Sequence, residues 1–201
     1  MHSAKRISMI AETDAAAAVA RADRDTIDRA RGDAAVLVLA VVGLVWLGAL
    51  LGVSFLATPV KFLAPSLTLP VALDVGRQTF SWFGRIEVVL ALAGFASAAA
   101  FGLPALRSAF ARRGTPHASA GLFTPGALAL VTAAALLAAV AVQNLWLLPT
   151  LDARVEVILQ GGTPPPSSLH RIYIAMDTLK LAGLAVVSWI ALAALRRGRA
   201  S

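Results

Sequence analysis

Cysteine is absent from the 201-residue chain, which excludes disulfides, thiolate metal sites and cysteine nucleophiles and leaves the redox compartment unread. Charge is scarce. Asp, Glu, Lys and Arg make up 14% of residues, against about 25% in a soluble domain, and residues 34–57 and 125–148 hold none at all. Histidine occurs three times, at His2, His117 and His170. No HExxH, P-loop or GxSxG pattern is present. These absences exclude an ordinary soluble domain and leave no motif from which to name a reaction. What is abundant is apolar: 58% of residues belong to the hydrophobic set. The net charge of +7 sits in short segments flanking apolar runs, which reads as membrane topology rather than nucleic-acid binding.

Four apolar stretches are long enough to span. The first, residues 34–57, would be about 36 Å long as a helix, against a hydrocarbon core of about 30 Å. The others are expected at about 86–106, 125–148 and 172–195. Pro125 suits a first helical position, where its missing N–H costs nothing. Pro164-Pro165-Pro166-Ser167-Ser168 reads as a rigid approach with a hydroxyl cap before the fourth helix, and Arg196-Arg197-Gly198 as its stop. The expected fold is therefore all-α: a polytopic four-transmembrane-helix bundle over 34–195, a polar N-terminal arm over 1–33 and a basic tail over 196–201. No internal repeat is visible.

The arm balances six basic against six acidic side chains, several at i,i+4, so it reads as a solvated helix or a frayed segment. Its apolar face (Met9, Ile10, Val19, Ile27) is thin for membrane binding, and it does not have the layout of a signal peptide. Orientation follows from the short loops. Ten Lys and Arg (Arg21, Arg24, Arg29, Arg31, Arg107, Arg112, Arg113, Arg196, Arg197, Arg199) lie on the side of the termini, against Lys61, Arg77, Arg85, Arg154 and Arg171 on the other. The positive-inside rule then places both termini in the cytoplasm of a multi-pass cell-membrane protein. Trp82, Phe83, Trp146 and Tyr173 fall at the outer helix ends, where an aromatic belt is expected. Arg outnumbers Lys and Ala dominates, which fits a bacterial inner membrane.

Small residues indicate how the helices pack. Gly48 and Gly52 form a GxxxG step in the first helix, and Gly94, Ala98 and Gly102 repeat the spacing in the second. Packing within the bundle, a homodimer or partner face, and chance in an Ala-rich sequence are the alternatives.

The most informative constellation is on the fourth helix. His170, Tyr173, Asp177 and Lys180 fall within an arc of about 80° on one face. An ionisable residue inside a span costs roughly 2.5–3.5 kcal/mol on insertion scales, so this face should point into the bundle. Arg85 and Glu87 on the second helix and Gln143 and Asn144 on the third are the candidate partners, forming a polar pocket in the outer half. One reading is a structural network, Glu87 with Lys180 and Arg85 with Asp177, that fixes helix register. In that network Asp177→Asn leaves Lys180 poorly compensated. The other is a site that binds or passes a proton, cation or small polar solute, with Asp177 and Glu87 as carboxylate ligands. Haem fits poorly, because His170 alone stands beside a helix. No cofactor or metal is expected, an enzyme ranks third, and the expected partners are the bilayer and a further membrane protein or second copy.

The outer segments carry a resemblance. Gly52-Val53-Ser54-Phe55-Leu56-Ala57-Thr58-Pro59-Val60-Lys61-Phe62 closes the first helix and leads through Ala72–Phe80 into the second. Leu148-Pro149 follows the third helix, and Leu169-His170 opens the fourth. The chain resembles, over residues 36–195, small four-helix membrane proteins that share the transmembrane-protein-205-like domain of unknown function. The resemblance implies a fold and brings no catalytic residues.

Overall fold

A computed structural model describes residues 2–111 and 124–198, with side chains described from Ala17 onward apart from residues 105, 108 and 109. Arg112, Arg113, His117 and Arg199 lie outside the described residues, as do the side chains of His2, Met9 and Ile10. Four long helices account for nearly all the described residues, and no strand occurs among them. Each contains a stretch long and apolar enough to cross a membrane: Ala17–Lys61, Leu69–Pro104, Pro125–Leu159 and Leu169–Gly198.

Helix α1 (His2–Leu50) continues through a π-helical stretch (Leu51–Ala57) into a last α turn (Thr58–Lys61). The N-terminal arm is thus the helical beginning of α1, and its side chains from Ala18 to Arg31 are exposed. Helix α2 is Leu69–Ala111. Helix α3 runs from Pro125–Val142 through a second π-helical stretch (Gln143–Leu147) into Leu148–Leu159. Helix α4 is Leu169–Gly198. Thr124 caps α3, its side chain accepting the Ala127 N–H at 3.3 Å, with Pro125 at the first helical position as expected.

Two boundaries differ from the hydropathy reading. The stretch before residue 86 is helical back to Leu69, and α3 continues past residue 148 to Leu159. Charged and small residues there (Asp74, Gly76, Arg77, Asp152, Glu156) lower the hydropathy without breaking the helices. Each π stretch comes just before a proline. Thr58 donates its N–H to Val53 O, five residues back, and Leu148 donates to Gln143 O in the same way. A proline one residue later cannot donate and would clash with the carbonyl four residues before it; widening the turn accommodates the ring. Helix α3 ends in a Schellman motif: Gly161 has φ +80°, Gly162 N–H bonds Val157 O at 2.8 Å and Gly161 N–H bonds Ile158 O at 3.0 Å. Ser168 accepts the Ile172 N–H through its backbone carbonyl at 3.0 Å as α4 begins.

The helices form a ring in which α1 packs on α2 and α4, and α3 packs on the same two. Toward the termini the core is made of small and branched residues: Val36, Leu39, Ala40, Ala98, Ala129, Ala133, Val187, Ile190 and Ala191. The middle holds larger ones, including Trp46, Leu50, Phe83, Leu136, Val140 and Leu184. Ala98 is fully buried, Gly94 faces Val42, and Gly102 meets Gly126 so closely that a Cβ on Gly102 would fall on the Gly126 carbonyl. Small residues there let the backbones touch, where lipid supplies no hydrophobic drive. Gly48 and Gly52 differ from that expectation: among the described residues nothing lies within 4 Å of a Cβ built on either, so neither makes the close helix contact that the spacing suggests. The aromatic belt also needs correction. Trp82 and Trp146 are exposed at the helix periphery, whereas Phe83 and Tyr173 are buried inside the bundle.

Candidate functional site: a buried four-helix ionic cluster beneath an open cavity

Every helix sends one partner or more to a single polar cluster. Glu87 of α2 lies at its centre, its Oε1 accepting the Trp46 indole N–H of α1 at 2.9 Å and the Lys180 ammonium of α4 at 2.6 Å. Lys180 Nζ also pairs with Asp177 Oδ1 at 2.9 Å, and Gln143 Nε2 of α3 donates to the same Asp177 oxygen at 2.9 Å. Glu87, Gln143, Asp177 and Lys180 are each 1% exposed. The Asp177–Lys180 pair comes from i,i+3 spacing on α4. Gln143 opens the π stretch of α3, and its carbonyl accepts the five-residue bond that lets Pro149 follow.

The cluster is unevenly satisfied. Two carboxylates share one ammonium, and two buried oxygens, Asp177 Oδ2 and Gln143 Oε1, have no hydrogen-bond partner. Charge removed from water costs several kcal/mol per ion unless it is matched, so the second carboxylate is the energetically costly feature of the site.

Directly above, a cavity of about 740 Å³ opens at the loop end of the bundle, lined by the ends of all four helices. Tyr173, one turn from Asp177 on α4, is buried, lines this cavity and packs edge-on against Phe80 at a centroid distance of 5.2 Å. His170, Arg85 and Asn144 line the same cavity. The extended ends of α2 and α3 form its walls, joined by Arg77, which contacts Asp74 at 3.1 Å, Asp152 at 3.5 Å and Glu156 at 2.7 Å. Gln160 holds the other oxygen of Glu156 at 3.0 Å.

The expected pocket residues therefore fall into two layers. Glu87, Gln143, Asp177 and Lys180 meet in the buried cluster, including the expected Glu87–Lys180 pair. Arg85, Asn144, His170 and Tyr173 belong to the cavity above. The expected Arg85–Asp177 pair does not form; the Arg85 guanidinium lies over the Trp82 ring, 4.8 Å from its centroid. Residues two apart on a helix point about 200° apart, so Arg85 cannot share the inward direction of Glu87. Asn144, one position past Gln143, likewise turns aside and donates to Val140 O at 3.0 Å. The view that Asp177→Asn strands Lys180 also changes, because Glu87 already holds that ammonium.

Two contributors escape a sequence reading. Trp46 has a mid-span position as its signal, since a tryptophan outside the interface belt needs a buried acceptor for its N–H. The acidic partners of Arg77 carry a helical signal, Asp74 at i,i+3 and Asp152/Glu156 at i,i+4, in segments taken as loops. No group of three or more His, Cys, Asp or Glu able to hold a metal occurs among the described residues. Compared with known proteins, the chain matches no family model, no curated protein and no solved structure.

Proposed function

We propose that this is an integral membrane protein that binds a small cation, a proton, in the Glu87–Lys180–Asp177–Gln143 cluster and exchanges it through the cavity above. The carrying observation is the mismatch of two carboxylates to one ammonium, with Asp177 Oδ2 and Gln143 Oε1 left unpartnered. A hard metal cation takes about six oxygens or more, and two free oxygens do not make that shell. A proton on one carboxyl removes the excess charge and turns an acceptor into a donor. Tyr173 lines the cavity one helical turn from Asp177, where a hydroxyl can relay such a proton.

In this reading the protein is multi-pass in a bacterial cell membrane with both termini cytoplasmic, so the cavity opens outward, and the likeness to the transmembrane-protein-205-like domain is part of the same proposal. A second reading is a purely structural or assembly subunit. It is favoured by the fact that the cluster ties all four helices while Asp177 itself is buried. Proton flux into liposomes carrying the purified protein separates the two. Flux that Asp177→Asn abolishes, in a variant as stable as the wild type, supports exchange; absent flux in the folded wild type favours the structural role.

A further inference from the structure

The cavity above the cluster is charged in an uneven way. Its lining carries four cationic side chains, Lys61, Arg77, Arg85 and Arg154, against one acidic, Asp152. The charge of Arg77 is spent on Asp74, Asp152 and Glu156. Among the described residues, Lys61, Arg85 and Arg154 have no carboxylate within 4 Å. Arg154 donates to the Pro165 carbonyl at 2.5 Å, and Arg85 rests on Trp82. Lys61 is the cation placed most specifically: its ammonium occupies the space that a side chain on Gly76 would fill, and it stays within 5.1 Å of the Phe62 ring centroid. A lysine at a membrane interface ordinarily extends toward water or headgroups. Here the missing Cβ of Gly76 leaves room for it in the cavity wall.

The remainder of the lining is largely apolar, with Phe62, Leu151, Val155 and Ile158 among it. A volume of about 740 Å³ lies within the usual range for small-molecule sites of roughly 300–1,000 Å³. We propose that this cavity binds an amphipathic organic anion, with its acidic head on the Lys61 ammonium and its apolar body against the side chains of α3. The site lies outside the buried cluster and stands or falls separately from the proton reading. A carboxylate, sulfonate or phosphate head would serve, from a soluble acid or from an anionic lipid.

The test uses the full chain in phosphatidylcholine nanodiscs with three probes of one shape: 2-naphthoate, neutral 2-naphthylmethanol and cationic 2-naphthylmethylammonium. We expect 2-naphthoate to bind at least about tenfold more tightly than the other two. Lys61→Gln should abolish that preference and Lys61→Arg retain it. Gly76→Ala, which puts a methyl group where the ammonium sits, should weaken naphthoate binding while leaving the neutral probe unchanged; it provides a second route should Lys61→Gln fold poorly. Adding phosphatidylglycerol distinguishes the sources: displacement of naphthoate identifies an anionic lipid as occupant, and no displacement identifies a soluble anion. Equal binding of all three probes, or a charge preference that survives both Lys61→Gln and Gly76→Ala, would overturn the proposal.

Discussion

Replacing Lys180 with methionine isolates the electrostatics of the cluster. The side chain is fully buried, and its ammonium lies 2.6 Å from Glu87 Oε1 and 2.9 Å from Asp177 Oδ1. Methionine has a similar length and keeps the apolar stem, so the change is chiefly the loss of one positive charge from a buried site. The two carboxyl groups are then left with the Trp46 indole and the Gln143 amide as donors. Removing one member of a buried pair costs about 3–5 kcal/mol, because the survivor is a buried charge without a counter-ion. For a chain of this size each kcal/mol corresponds to about 2–4 °C in Tm, so a fall of about 6–20 °C is expected. Thermal unfolding in mild detergent, followed by tryptophan fluorescence, reads this directly. Adding Glu87→Gln and Asp177→Asn to the Lys180→Met background should recover most of the loss, since no charge then remains. A Lys180→Met protein that unfolds within about 2 °C of the wild type would refute the reasoning.

Further expectations follow from the same geometry. Asp177→Asn leaves Glu87 and Lys180 as a matched pair and should change Tm far less than Lys180→Met in the same assay. Trp46→Phe removes a hydrogen bond to a charged group while keeping the ring, and should cost about 1.5–3 kcal/mol in denaturant unfolding. Gly102→Ala drives a methyl group onto the Gly126 carbonyl and should destabilise by about 1–3 kcal/mol, whereas Gly48→Leu and Gly52→Leu should leave the monomer unchanged. Reporter fusions after Leu63 and after Gly162 should report one compartment and a fusion at Arg113 the opposite one; a shared compartment for all three would contradict the four-span arrangement.

How far the sequence carries depends on the kind of signal. Hydropathy and the absence of charge from residues 34–57 and 125–148 made the four spans legible. The common face of Tyr173, Asp177 and Lys180 follows from helical spacing alone, as does the need for partners on other helices. Spacing within one helix cannot state how a neighbouring helix is rotated. Glu87 and Arg85 were therefore equally eligible, although only Glu87 points inward. The same limit applies to Gly48 and Gly52, whose GxxxG spacing meets no close neighbour among the described residues. The helical extensions of α2 and α3 were hidden because hydropathy reports membrane depth, whereas helix formation continues above it. Without those extensions the cavity has no walls, so it could not be anticipated from the apolar runs.

Infrared difference spectroscopy of the reconstituted protein between acidic and alkaline pH tests the central claim most directly, because a protonated carboxyl has a carbonyl stretch that a carboxylate lacks. The account predicts one such band from a buried carboxyl in the wild type. It should be lost in Asp177→Asn and equally in Glu87→Gln, since either change leaves one carboxylate for the single ammonium of Lys180. A wild-type protein without that band, or a band that survives both substitutions, would contradict it.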